Sequence, residues 1–212
     1  ILFCVAYVLP GFLGREPWKT ADVAALGAML ELASGSGSWW SPSVLGLPAD
    51  QPGLLPYWLG ALFVQGLPLL PPEFAARIPF ALMLALTLAC TWYAVYHLAR
   101  QPAALPVAFA FGGEARPADY ARALADAGLL ALLACLGLAQ LSHETTPDLA
   151  RLALVSLLLL AASRMAHAGQ RQPLRSVGLW AIALLALVFS GAPWIATTLG
   201  GGLLLVLWLS RS

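Results

Sequence analysis

Between Arg77 and Arg100 the chain places no charged side chain at all. A run of that length, about 20 residues, is what an α-helix needs to cross the hydrocarbon core of a bilayer, and an ordinary surface helix keeps a charged face instead. Apolar runs recur at Ile1 to Leu13, Ile78 to Leu98, Leu124 to Leu141, Leu149 to Ala162, Val177 to Phe189 and Ile195 to Leu209. Only 10% of the residues are charged, whereas soluble domains run at about 25%. The runs predict an all-α integral membrane fold with about five or six transmembrane helices. Ser190-Gly191-Ala192-Pro193 marks a tight turn between the last two. The opening run has no upstream basic region and no small-residue cleavage site, so it reads as the remnant of a first spanning helix rather than a signal peptide. The whole of 1–212 then reads as a partial transmembrane domain.

Basic residues set the expected orientation. With the loop after the first helix outside, the inner segments carry Arg100, Arg116, Arg122, Arg164, Arg171, Arg175 and Arg211, seven of the eleven Lys and Arg residues. That is the positive-inside bias. The outer segments then hold Glu16, Asp22, Glu31, Asp50, Glu73, Glu144 and Asp148, against Arg15, Lys19, Arg77 and Arg151. The expectation is a multi-pass protein of a bacterial-type inner (plasma) membrane with its working face periplasmic. A net charge of +1 speaks against a nucleic-acid partner. Cys4, Cys90 and Cys135 all sit in apolar runs without CxxC or Cys/His spacing and read as small buried hydrophobes.

Residues 14–72 are too long and too patterned for a plain connector and read as a first outer loop with juxtamembrane helices. Thr20 can cap a helix with Asp22 in its first turn, and Val23, Leu26, Met29, Leu30 and Ala33 follow at helical spacing. Such an amphipathic helix suits an interface. Ser34-Gly35-Ser36-Gly37-Ser38 breaks it, and Trp39-Trp40 follows. A second short apolar stretch, Leu54 to Leu67, contains Tyr57-Trp58 between prolines and reads as another juxtamembrane helix. Both aromatic pairs read first as interface anchors.

The succession from Gly14 to Leu62, then Glu73 to Arg100, resembles the polyprenyl-phosphate-sugar-dependent glycosyltransferases of GT-C fold, in the branch of the lipid A aminoarabinose transferase and the protein O-mannosyltransferases. In that branch an acidic pair follows the first helix, then an RYAEIA-like helix, a small-residue break, a Trp before a Pro, an EKPP-like turn, a YW pair and an AARLP helix start. By this resemblance Glu16 falls on the loop aspartate, Lys19 and Asp22 on the Arg and Glu of RYAE, and Asp50-Gln51-Pro52 on the Glu-Lys-Pro turn. Ala75-Ala76-Arg77-Ile78-Pro79 falls on the helix start, and His143 to Asp148 on an outer acidic motif that ends in TPD. Gly191-Ala192-Pro193 falls on a KGP turn. The chain departs from the pattern where Pro17 replaces the second acid, and where Gln51 and Ser190 replace lysines.

The resemblance implies transfer of a monosaccharide from a polyprenyl-phosphate donor to a cell-envelope lipid or glycan, in contact with membrane lipids. Such transfer needs the acceptor hydroxyl activated and the departing phosphate neutralised. Glu16 is the expected base, with Asp148 and Asp22 as further catalytic carboxylates. Lys19 and Arg77 suit the phosphate, Arg77 through its bidentate fork. Asp50, Gln51, Tyr57, His143 and Glu144 complete the expected donor and acceptor contacts. Each residue also has an ordinary explanation: Glu16 as a solvated partner of Arg15, Asp22 as a helix-dipole residue, Asp148 as a helix cap. His143, Glu144 and Asp148 leave a divalent metal ion open, although HExxxD is not an established ligand spacing. His97 and His167 need no function. The alternatives are a non-catalytic polytopic membrane protein, such as a transporter or scaffold subunit, and an inactive member of the family. Asp126, near a helix start, is the one charge inside a run that could mark a transport path.

Overall fold

The structure, a computed structural model, describes residues 1–14, 16–17, 19–106, 113–166 and 173–209. Arg15, Arg171, Arg211 and His167 lie outside the described residues. The chain is mostly helical: α1 (Leu2–Phe12), α2 (Thr20–Ser34), a hairpin of β1 (Ser43–Val44) and β2 (Leu47–Pro48), α3 (Leu55–Gly66), α4 (Pro72–Ala99), a 3₁₀ turn at Pro102–Ala104, α5 (Pro117–Leu133), α6 (Leu136–Leu141), α7 (Pro147–Ala166), α8 (Pro173–Phe189) and α9 (Pro193–Leu209).

Prolines set the starts. Pro72, Pro117, Pro147, Pro173 and Pro193 each open a helix, where the missing N–H costs nothing and the fixed φ is already helical. The α2 helix stops at Gly35, whose φ of 80° is left-handed, the conformation that glycine adopts without a Cβ clash. Its N-cap is Lys19 rather than Thr20, and no side chain caps it.

The long α4 helix is the hub. It packs against α1, α3, α5 and α7, and α7 in turn carries α8. Val8, Phe12, Met29, Leu32, Tyr57, Phe80, Leu84 and Leu149 form the main core, and Leu158, Ala183 and Leu187 a second one under α7 and α8. Small residues line the buried side of α7, among them Ala150, Ala153, Ser156 and Ala161. They let its neighbours approach closely enough for continuous dispersion contact.

Among the described residues only two helices, Pro72–Ala99 and Pro147–Ala166, are long and apolar enough to cross a membrane. This overturns the expected integral membrane fold of five or six transmembrane helices and its GT-C architecture. The expected multi-pass placement in a bacterial-type inner membrane, with a periplasmic face, falls with it. Local breaks in the apolar runs are the cause. The run from Leu124 to Leu141 is divided at Ala134 and Cys135 into α5 and the six-residue α6, and α5 carries Asp119, Arg122 and Asp126. The α8 and α9 helices have 17 residues each, about 25 Å at 1.5 Å per residue, short of the roughly 30 Å hydrocarbon core. The α1 helix has 11 residues and an internal Pro10. By contrast α7 runs past the expected 149–162 at both ends.

One end of the bundle gathers the connections after α1, before α7 and between α8 and α9. Leu54 N–H donates to Phe189 O at 2.6 Å. Gly191 has a φ of 77°, and a Cβ there would stand 2.0 Å from Pro52 O, so the approach of these two turns requires glycine.

Candidate functional site

At this end two segments more than a hundred residues apart meet. The 13–19 connection delivers Lys19 and the first turn of α2 delivers Asp22, both against residues 142–148. Lys19 Nζ forms an ion pair with Glu144, whose side chain is 4% exposed against 25% for the lysine. Asp22, 2% exposed, accepts two hydrogen bonds on Oδ1, from Thr145 N–H at 2.8 Å and from Thr145 Oγ1 at 2.5 Å. The helix dipole at the start of α2 adds to the stabilisation of this carboxylate. Its main partner is nevertheless across the fold.

His143 is held from both sides. Its Nε2 lies 3.0 Å from Tyr7 O and its Nδ1 3.1 Å from Ser142 Oγ. Because Tyr7 O can only accept, Nε2 carries the proton in that bond and Nδ1 accepts from the serine. The ring packs beside Tyr7 and Phe12. It occupies the space over Gly11, where a Cβ would meet its Cδ2 at 1.9 Å.

A second cluster forms around Arg151, one turn along α7 from Asp148. Its Nη1 donates to Asp148 Oδ1 at 2.8 Å, its Nε to Ser190 O at 2.9 Å and its Nη2 to Pro52 O at 2.6 Å. One guanidinium therefore joins α7, the 50–53 turn and the α8–α9 turn, a use of the planar fork that lysine could not copy. Gln51 Nε2 approaches Asp148 Oδ2 at 3.5 Å, and Gln51 Oε1 is buried with no hydrogen-bond partner. Tyr57 is buried and donates to Gln51 O at 3.0 Å. Burial pushes its phenol above the ordinary pKa of 10.0; Arg151 opposes the shift, and Asp50 adds to it.

The expected site residues thus divide. Lys19, Asp22, His143 and Glu144 come together, and Gln51, Tyr57 and Asp148 form the adjoining group. Glu16 is exposed on the connection leading to Lys19, and Asp50 is exposed on its turn. Arg77 is buried in the second turn of α4. No group of three or more His, Cys, Asp or Glu side chains that could hold a metal ion occurs among the described residues. His143, Glu144 and Asp148 instead face three different partners.

Sequence reasoning missed Thr145 and Arg151. The Asp148-Arg151 spacing of three on a helix was a legible signal for a pair; nothing local marks Thr145 as the partner of Asp22. Between α5, α6 and α7 lies a half-open cavity of about 270 Å³ lined mainly by leucine, with Ser142 and Asp148 also in its lining. Glu16 is not among its lining residues. No family model matches this chain, and no curated protein or solved structure shows significant similarity to it.

Proposed function

We propose that this end of the bundle is part of a glycosyltransferase site that moves a monosaccharide from a polyprenyl-phosphate donor to a lipid or glycan acceptor. The observation that supports it is the convergence of Lys19 and Asp22 with residues 142–148, with Glu16 exposed three residues before Lys19 in the chain. In the step proposed, Glu16 takes the acceptor proton as the acceptor oxygen bonds to the anomeric carbon. The bond from that carbon to the phosphate oxygen breaks, and the phosphate leaves with the electron pair. Lys19, held by Glu144, and Arg77 are the cations suited to the departing charge.

A structural reading has its own support. Glu144, Asp22 and Asp148 each already hold a protein partner, as carboxylates that only join segments would. The two readings part at Glu16. In the full-length protein, Glu16→Gln keeps size and hydrogen bonding but removes the base, and transfer of labelled sugar from a polyprenyl-phosphate donor should fall about a hundredfold or more. Normal transfer by both Glu16→Gln and Asp148→Asn would overturn the catalytic assignment.

A further inference from the structure

Among the described residues, the cavity between α5, α6 and α7 has five leucines in its wall and two side chains with hydrogen-bonding oxygens, those of Ser142 and Asp148. The serine hydroxyl is engaged, 3.3 Å from Tyr7 Oη and 3.1 Å from His143 Nδ1. Asp148 differs. Its side chain is 50% exposed, and Arg151 holds Oδ1. Oδ2 has one long contact, 3.5 Å from Gln51 Nε2, at the weak limit of a hydrogen bond. An ionised carboxylate accepts and never donates. The cavity therefore joins an apolar wall to an acceptor with capacity to spare. A cavity of ~150 Å³ holds one benzene ring. At about 270 Å³ this one has room for a length of alkyl or isoprenoid chain.

We propose that the cavity binds a single-chain amphiphile whose head donates a hydrogen bond, an amine or a hydroxyl, with the chain against the leucines and the head on Asp148 Oδ2. A phosphate head offers acceptor oxygens and negative charge, and the same carboxylate repels it. This goes beyond the transfer reading and does not rest on it.

Cys135 lines the cavity and is exposed, so it reports occupancy directly. In the 212-residue protein with Cys4→Ala and Cys90→Ala, the rate of maleimide alkylation at Cys135 is measured with dodecylamine, dodecanol or dodecyl phosphate below their solubility and micelle limits. Dodecylamine and dodecanol should slow alkylation by 1 + [L]/Kd, about threefold at twice Kd, and dodecyl phosphate should not. Asp148→Asn should narrow the difference between amine and phosphate. Gly137 lines the cavity, and a Cβ there would have Cys135 Sγ at 4.0 Å as its near neighbour, so Gly137→Leu should obstruct the space and abolish protection. Equal protection by dodecyl phosphate, protection by none of the three, or protection that persists in Gly137→Leu would overturn the proposal. None of these results depends on sugar transfer, so the cavity and the transferase reading can fail separately.

Discussion

The contact between Asp22 and Thr145 offers the sharpest quantitative test of how this end of the fold is held. Asp22→Ala removes an acceptor that serves two donors of one residue, in a place where Asp22 and Thr145 are each 2% exposed. A hydrogen bond to a charged partner is worth about 1.5–3 kcal/mol, and a buried donor left without an acceptor incurs a desolvation cost of its own. Losing both bonds should therefore destabilise the protein by about 3–5 kcal/mol. A residue acting only on the helix dipole would cost about 0.3–1 kcal/mol. Asp22→Asn keeps Oδ1 as an acceptor and should cost about 1–2 kcal/mol. Thr145→Val removes the hydroxyl but leaves the backbone N–H bond. Combined with Asp22→Ala in a double-mutant cycle, it should give a coupling of about 1.5–2 kcal/mol. Equilibrium denaturant unfolding of the five proteins, the wild type included, measures all of these. A loss under about 1 kcal/mol for Asp22→Ala, with additive effects in the cycle, would refute the cross-link and restore the dipole explanation.

Two further outcomes follow from the same geometry. Lys19→Met leaves the buried Glu144 carboxylate without its cation and should cost about 3–5 kcal/mol, whereas Lys19→Met with Glu144→Leu should recover most of the loss; equal unfolding midpoints for single and double variants would contradict the pairing. Tyr57 has a folded pKa raised above 10.0, so the folded state holds the phenol proton more tightly than the unfolded state does. Its contribution is fully present below pH 10.0 and is lost as pH rises through the folded pKa; Tyr57→Phe should flatten that alkaline decline when unfolding midpoints are compared above and below pH 10.0.

Helix positions were legible where the sequence punctuates them. The α2 and α3 helices lie within a residue or so of their expected bounds, because Gly35 and the prolines flanking Tyr57-Trp58 act through backbone geometry alone. Span number was not legible, because a hydropathy window does not see helix breaks. Cys135 begins α6 with an extended backbone in the middle of an apolar run, and no polar residue marks the spot. The partners of the aromatic residues were no more legible. Trp58 reads as an interface anchor by type, yet its Nε1 donates to Trp39 O at 2.6 Å, and its ring packs on Trp40 and Phe189. Its polar end is satisfied within the protein. At this end of the bundle the charges Asp22 and Glu144 stand out in the sequence, but their pairing with residues from the opposite half of the chain does not.

That pairing also fixes where chemistry could reside. A carboxylate already accepting from a buried threonine, or matched to a lysine in a desolvated place, cannot take a substrate proton without first giving up a contact that holds two segments together. Asp22 and Glu144 are in that position. Asp148 is intermediate, because Arg151 occupies one oxygen and leaves the other half-engaged. Glu16 and Asp148 are both exposed, and among the described residues Glu16 makes none of these bridging contacts. The same scaffold that immobilises Lys19 sets the start of α2 and therefore how far Glu16 can range from it along the chain. On the proposed transfer reading, loss of the Lys19–Glu144 pair should lower transfer even in molecules that remain folded, which ties the structural role of the pair to the chemistry proposed for Glu16.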